Sequence, residues 1–555
     1  MRKILFLIFL FINSGNAFAQ EFYMKIIGNN EQGTKIIDSI GYIIKHKNTK
    51  SIIDENNSFY EKLNKIGYSE SQLLENYKLN DTTLCFKYDL KQKIKSIHVY
   101  ISKEFHENIS SSYEIKKDTL SLPIEDSEEF LNSVLKKLES IGFSMAKVKL
   151  SNLQKKNELV IADLNIEKQT KRDLNDIVIN SDEKFPANHK KNLLRLYRNK
   201  VFNQKNLEKL YNDIGKFRFV KQSKYPEILF TKDSTKVYVY LEKAKANTFD
   251  GYIGFTNDEN KKLIFSGYLD LVLQNILDSG EKIALYWKSD GQNQKTFNFN
   301  LELPYVFKSP IGIKLDLNIF KQDSTFQNTK TAIDFGYYFN YNTRLYLGYQ
   351  SSESSDIQNV NTSNLSDFNN SFTTSTLEYI NLKNDDFLFP EKTIINLKIG
   401  AGKRYSKIIS SNQFFSSILL NHNFYLNEKN IVNIKSQNFY LQSQNYVVNE
   451  LQRFGGINSI RGFNENSLQA NSFNSILTEY RYILAPTLYV HTIIDYGHAQ
   501  DKTSNTDDNL FGIGFGIGLL SKNGFFNIVY ANGNTNNQVI KLSNSIVHVS
   551  FKANF

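Results

Sequence analysis

From Asn247 to Phe555 apolar and polar side chains alternate with a period of two, and helical spacing disappears. The last stretch reads most clearly. Val547, Val549, Phe551, Ala553 and Phe555 face one way, and His548, Ser550, Lys552 and Asn554 face the other. An apolar outside, a polar inside and an aromatic end suit the strand of a transmembrane barrel. Sixteen candidate strands begin near Asn247, Leu263, Glu281, Lys295, Ile311, Thr329, Thr343, Phe372, Glu391, Ser411, Asn430, Ser475, Leu488, Leu510, Gly524 and Asn544. An even number returns the chain to its starting side, and roughly 19 residues per strand and connection accommodates tilted spans of ~10 residues. In a bilayer the sheet must close, because an open edge leaves backbone groups unpaired in hydrocarbon.

Aromatic usage agrees. The chain has 42 Phe and 32 Tyr but one Trp, and strand ends such as Tyr305-Val306-Phe307, Tyr337-Tyr338-Phe339 and Phe424-Tyr425 collect them. A girdle of rings at the two bilayer interfaces explains that placement. A soluble β-sandwich, the alternative, has no use for it.

Before Asn247 the pattern is different and repeats roughly every 75 residues. Three candidate helices end alike: Lys65-Ile66-Gly67-Tyr68, Ser140-Ile141-Gly142-Phe143 and Asp213-Ile214-Gly215-Lys216-Phe217. Glycine after the last apolar helix residue is the signal of a left-handed C-cap. Closing strands follow at Leu84–Leu90, Leu159–Glu167 and Val237–Lys243, and opening strands at Ile94–Ile101 and Leu174–Ile179. The expectation is three tandem α+β modules, with one larger α+β domain as the alternative. The first module, with its long stretch from Gly28 to Asn48, fits the repeat least well.

At 555 residues the chain is too long for one ordinary domain. It begins Met1-Arg2-Lys3, continues with an apolar run from Ile4 to Ile12 and reaches Ala17-Phe18-Ala19. These are the parts of a secretory signal peptide cut after Ala19; Gln20 follows, so no lipoprotein anchor is indicated. No later run is apolar and long enough for a membrane helix. The single cysteine, Cys85, excludes an internal disulfide framework and reads as a buried strand residue. The net charge of +10 is spread rather than clustered. In an exported chain it points to lipid headgroups rather than nucleic acid. The expected layout is a signal peptide at 1–19, modules at 20–92, 93–168 and 169–245, and an outer-membrane barrel at 246–555.

The loop of residues 444–474 contains Phe454-Gly455-Gly456-Ile457-Asn458-Ser459-Ile460-Arg461-Gly462-Phe463. A phosphate cradle is excluded, since no Gly-Lys-Ser/Thr ending exists and no strand-to-helix turn surrounds it. The eight His residues are scattered, with no His-Glu-x-x-His, so no metal or cofactor is expected. No strand–turn–helix Gly-x-Ser-x-Gly supports a hydrolase, and no catalytic set is assigned. Gly512, Gly514, Gly516 and Gly518 lie on one strand face, with Phe511, Ile513, Phe515, Ile517 and Leu519 on the lipid side. Bare glycine there leaves room for something to lie against the wall. The loop can supply it, because an extended chain reaches ~3.3 Å per residue. On the next strands Glu479 and Asp495 oppose outward tyrosines and isoleucine, so both carboxylates point inward. A guanidinium can bridge two carboxylates through its fixed fork of donors. The alternative is three separately solvated charges.

These residues resemble a known signature. Arg453-Phe454-Gly455-Gly456 followed by Ile460-Arg461-Gly462-Phe463 looks like the lumen loop of the outer-membrane assembly and secretion superfamily, the BamA/TamA-type proteins. In that family the loop follows the eleventh of sixteen strands, an inward acid on the next strand matches Glu479, and Asp-x-Gly on the following strand matches Asp495-Tyr496-Gly497. The modules resemble POTRA (polypeptide-transport-associated) domains, and Leu301-Glu302-Leu303-Pro304-Tyr305 resembles an early "Pro-Tyr" strand. Three modules are more similar to TamA than to BamA.

The resemblance implies a non-enzymatic factor of the Gram-negative type of outer membrane, its modules in the periplasm, that assembles, inserts or translocates other polypeptides. Its implied partners are unfolded outer-membrane or secreted polypeptides, outer-membrane lipids and an accessory or periplasm-spanning protein. A lateral seam would lie between the first and last strands, the latter ending in Phe551 and Phe555. A two-partner-type secretion pore for one exported protein is the alternative, and a solute porin or barrel enzyme is further off.

Overall fold

The computed structural model describes residues 21–555 apart from 110–112, 258–262, 291–293, 360, 363, 407–409 and 536–544. The expected signal peptide therefore lies outside the described residues. The chain divides into two compact units: one runs to Arg172 and includes Val201–Lys205, and the other comprises Asp173–Lys200 with Asn206–Phe555.

The first unit holds two four-stranded sheets. In one, β1 (Phe22–Gly28), β2 (Lys45–His46), β3 (Gln72–Lys78) and β4 (Thr83–Asp89) take the order β2-β1-β4-β3. In the other, β5 (Ser96–Tyr100), β6 (Thr119–Pro123), β7 (Lys147–Lys156) and β8 (Leu159–Glu167) take the order β6-β5-β8-β7. Each has a parallel central pair, β1–β4 and β5–β8, joined through helices that cover one face. In the first sheet these are α1 (Glu31–Ile40) and α2 (Thr49–Lys65); in the second, the main one is α3 (Ser127–Ser140). Helix α2 buries Ile52, Asn56, Phe59 and Leu63, and α3 buries Phe130, Val134 and Leu138, in both cases one helical stripe. Cys85 is a buried residue of β4 in the first sheet.

Both helices stop as their glycines require. Gly67 and Gly142 have φ of 105° and 106°. Tyr68 N–H donates to Leu63 O at 2.9 Å and Phe143 N–H to Leu138 O at 3.0 Å, the bond that closes a Schellman cap. Within the weakly matching Gly28–Asn48 stretch lies α1, which the sequence hid. Gly33 and the β-branched residues after it lower its helix propensity, while Asn30 caps it by accepting from Gly33 N–H at 2.7 Å.

The second unit opens with β9 (Asp176–Ser181), α4 (Ala187–Tyr197), most of α5 (Gln204–Ile214), β10 (Val220–Gln222), β11 (Glu227–Phe230) and β12 (Thr235–Lys243); β9, β10 and β11 each pair with β12 in a third sheet. Here the third ending departs from expectation. Gly215 is not among the positive-φ glycines; a Cβ on it would lie 2.2 Å from the Asn384 side chain. Close approach, not backbone handedness, requires that glycine.

The closed barrel comprises β13 (Thr248–Asn257), β14 (Leu263–Gln274), β15 (Lys282–Ser289), β16 (Gln294–Leu303), β17 (Ile311–Gln322), β18 (Phe326–Tyr338), β19 (Thr343–Asp356) and β20 (Phe368–Leu382). It continues through β21 (Glu391–Ser406), β22 (Ser411–Tyr425) and β23 (Asn430–Gln442). After a long loop holding β24 (Gln452–Phe454) and β25 (Leu468–Ala470) come β26 (Ser472–Ala485), β27 (Leu488–Asp501), β28 (Thr506–Ser521), β29 (Gly524–Thr535) and β30 (Ile546–Asn554). The barrel has sixteen strands, with β24 and β25 pairing separately. Its outward side chains are exposed and apolar, including Phe511, Ile513, Phe515, Ile517 and Leu519 on β28 and Val547, Val549 and Phe551 on β30. That is an inside-out arrangement relative to a water-soluble core, as a hydrocarbon surround demands.

The third sheet and the barrel rim belong to the same unit and share a packed joint. The His189 ring on α4 lies edge-on to Phe217, Phe219 and Tyr305, with centroids 5.0, 5.5 and 4.8 Å away. Arg195 donates to Tyr338 O at 3.0 Å, and Asn188 to Ser279 O at 2.7 Å. Pro304-Tyr305 is not strand: β16 ends at Leu303, and Tyr305 takes a left-handed conformation at φ 55° that turns the chain at the rim. Burial holds His189 neutral, its pKa pushed down to about 3.

Candidate functional site

The loop between β23 and β26 is folded into the barrel on a hairpin of its own. Strands β24 and β25 pair Gln452 with Ala470 and Phe454 with Leu468, a pairing that the sequence reading missed. Three residues form too short a strand to show a period. Phe454 stacks on Phe473 with centroids 3.9 Å apart, and with Ile460, Leu477, Ala499 and Leu510 it forms a small apolar core inside the lumen. Arg453 lies over the rings of Phe320 and Phe326, at 5.9 and 5.7 Å. Gly455, Gly456 and Gly462 adopt φ of 105°, 94° and 88°, which allows the tip to double back.

Arg461 meets both expected acids. Its Nε donates to Asp495 Oδ2 at 2.8 Å, its backbone N–H to the same oxygen at 3.0 Å, and its Nη1 bonds Glu479 Oε1. Arg461 and Asp495 are 5 % and 1 % exposed, so the pair is withdrawn from water and the bonds are charge-assisted. The reading of three separately solvated charges fails. Arg481, two residues beyond Glu479, also binds it, Nε to Oε2 at 2.7 Å. Glu479 thus serves two guanidiniums, and only one was anticipated.

Glycine lets the loop touch the wall. A Cβ on Gly512 would lie 2.4 Å from Arg461 O, one on Gly497 2.2 Å from Ile460 Cδ1, and one on Gly462 2.1 Å from Gly533 N. The rest of the β28 ladder does something else. Gly516 and Gly518 make room for the inward rings of His491 and Tyr489, and Gly514 for the β29 backbone.

The loop has further anchors that the sequence did not disclose. Its start is held by Arg404 of β21, which pairs with Glu450 and donates to Asn445 Oδ1 at 2.6 Å; both charged groups are almost wholly buried. Beyond its tip, Glu465 accepts from Tyr286 OH at 3.0 Å and pairs with Lys288. Inward parity marks Arg404 and Lys288 as lumen residues, but no spacing rule tells which loop carboxylate each meets.

At the seam, β30 pairs with β13 at only Thr248↔Asn554 and Phe249↔Ala553 among the described residues. On the other sides of these strands, β13 makes ten residue pairs with β14 and β30 makes eight with β29. The terminal Phe555 donates its N–H to Asn247 O at 3.0 Å, and its ring, like that of Phe551, is exposed on the outer face.

No protein-family model and no curated protein matches this chain. Solved structures do. CdiB from Acinetobacter baumannii is 14% identical, with 83% of this chain and 90% of that chain covered and a TM-score of 0.51. BamA from Haemophilus ducreyi lacking POTRA domains 1–3 is 13% identical, over 82% and 97% of the two chains, at 0.47. CdiB from Escherichia coli is 12% identical, over 94% and 98%, at 0.49. The Acinetobacter likeness shows a shared fold.

Proposed function

We propose that the chain is an outer-membrane factor that inserts, assembles or translocates other polypeptides, without being an enzyme. The observation that carries the reading is the pairing of a closed sixteen-strand barrel, its lumen crossed by a loop braced on Arg461, with a seam of two backbone pairs. A solute channel gains nothing from a wall that is weak at one place. A polypeptide whose strands must enter the bilayer sideways does, because exposed N–H and C=O groups at a parted seam can template the next strand.

The three small sheets act as periplasmic receivers. Strand β3 lies at the edge of its sheet and is exposed along its whole length, with Leu73, Leu74 and Tyr77 on the surface. An unfolded client can add to that edge through its own backbone, which suits a receiver of many sequences. The partners on this reading are unfolded outer-membrane or secreted polypeptides, lipids at the barrel surface, and an accessory protein on the periplasmic side.

Depletion of the protein followed by proteomics of the outer membrane tests the function. An assembly factor loses many barrel proteins; a pore dedicated to one exported protein loses that protein alone. An unchanged outer membrane and secretome refute both.

A further inference from the structure

Side chains supply at the seam what the backbone omits. Lys552 on β30 reaches past β13 to Asp270 on β14, Nζ to Oδ2 3.0 Å. The link therefore joins the last strand to the second, independently of the two backbone pairs. Asp270 stands directly opposite Asp250, and facing carboxylates repel unless something neutralises them. Tyr268 OH donates to Asp250 at 2.7 Å, and Lys552 brings the cation.

A second link runs through the loop. Gly462 abuts Gly533 on β29, and three residues later Glu465 is fastened to Lys288 and Tyr286 on β15. The ring order is β29, β30, β13, β14, β15. The Gly462–Glu465 segment thus joins strands on either side of the seam.

We propose that the seam is held shut by an electrostatic clasp, Lys552–Asp270 in the wall and Glu465–Lys288 through the loop, which positions the first and last strands between clients. The inference rests on the reading that the seam opens, and it assigns the closing force to particular charges. Both pairs are partly exposed: the Lys552 and Asp270 side chains 41% and 31%, Lys288 and Glu465 38% and 36%. Such pairs are individually weak and are screened by salt. Weakness suits a clasp that must part, whereas the buried Arg461 pair suits a brace that must not.

The test uses the purified full-length protein in detergent and needs no client. Cys85→Ser removes the native thiol, and Thr248→Cys with Asn554→Cys places thiols on directly opposed residues of the seam. The rate of disulfide formation under mild oxidation reports closure. Neutralising both links with Asp270→Asn and Glu465→Gln is expected to slow cross-linking about three- to tenfold at low salt. Salt is expected to slow the unmodified clasp and leave the neutralised one unchanged. The swap Asp270→Lys with Lys552→Asp, added to Glu465→Lys with Lys288→Glu, restores the rate if the charges act as pairs. Equal rates in the clasped and neutralised proteins overturn the proposal, as does a swap that stays slow while heat-modifiable mobility shows a folded barrel. The outcome is separable from the function itself: an unaltered outer membrane after depletion refutes the assembly role without touching the cross-linking result.

Discussion

The wall beneath the lumen loop and the seam are built from the same kind of strand, yet they are held in opposite ways. Strand β27 pairs with β28 over fourteen consecutive residues, and its Asp495 is locked to a buried Arg461. The seam has two backbone pairs and half-exposed charges. Desolvation makes the first arrangement costly to disturb, because either partner left alone is an unpaired buried charge. Exposed pairs of the second kind contribute little and are screened by salt. The proposed brace and the proposed clasp thus lie within a few strands of each other in one ring.

The largest expected effect breaks the rigid side. Arg461→Ala leaves Asp495 and Glu479 facing a hole, and a loss of about 3–5 kcal/mol follows from stranding buried charge. Heat-modifiable mobility then shifts to a lower transition temperature. Glu479→Ala should also destabilise the barrel, by less, because it removes the carboxylate that Arg461 and Arg481 share while Arg461 keeps Asp495 and Arg481 keeps Asn423. If all three side chains are dispensable for folding and for client assembly, the bracing role is wrong.

Next comes the close approach of loop and wall. Gly462→Ala places a Cβ about 2 Å from the β29 backbone at a φ of 88°, costing ~1–3 kcal/mol. Thermal melts of the folded barrel give the number; a cost near zero means that the loop does not lie against β29.

The joint between the third sheet and the barrel rim should respond to pH. His189 has a folded pKa of about 3 against an unfolded value near 6.5. Between these values the unfolded chain binds the extra proton, so this group's contribution to stability falls as pH drops from about 6.5 towards 3. At pH 5 the loss is ~2 kcal/mol relative to neutral pH. His189→Phe keeps the ring among Phe217, Phe219 and Tyr305 and should flatten that part of the stability–pH curve.

The smallest effect sharpens the contrast. Lys552→Ala should change global stability by less than about 1 kcal/mol while it speeds opening of the seam, measured as faster amide exchange in β13 and β30. A large global loss would place the seam in the same class as the brace.

Much of this was legible beforehand, for identifiable reasons. Period-two alternation is imposed by the bilayer on every strand, so the barrel strands begin within a few residues of their expected starts. The Arg461–Glu479–Asp495 contact was readable because one motif and two parities converge on it. Arg404–Glu450 and Glu465–Lys288 were not, because a pairing across the lumen depends on how the loop folds, and parity gives only the facing side. Helix α1 was hidden by Gly33, and the Gly215 ending misled because glycine serves close approach as well as left-handed caps. Pro304-Tyr305 looked like strand because the turn borrows an aromatic that the rim uses to pack His189.

The most direct test of the central claim is to lock the seam and ask for the activity. In a Cys85→Ser background, Thr248→Cys with Asn554→Cys joins β13 to β30 when oxidised and frees them when reduced. Client assembly into the outer membrane should stop in the oxidised protein and resume on reduction. Full assembly with the disulfide intact would contradict the account.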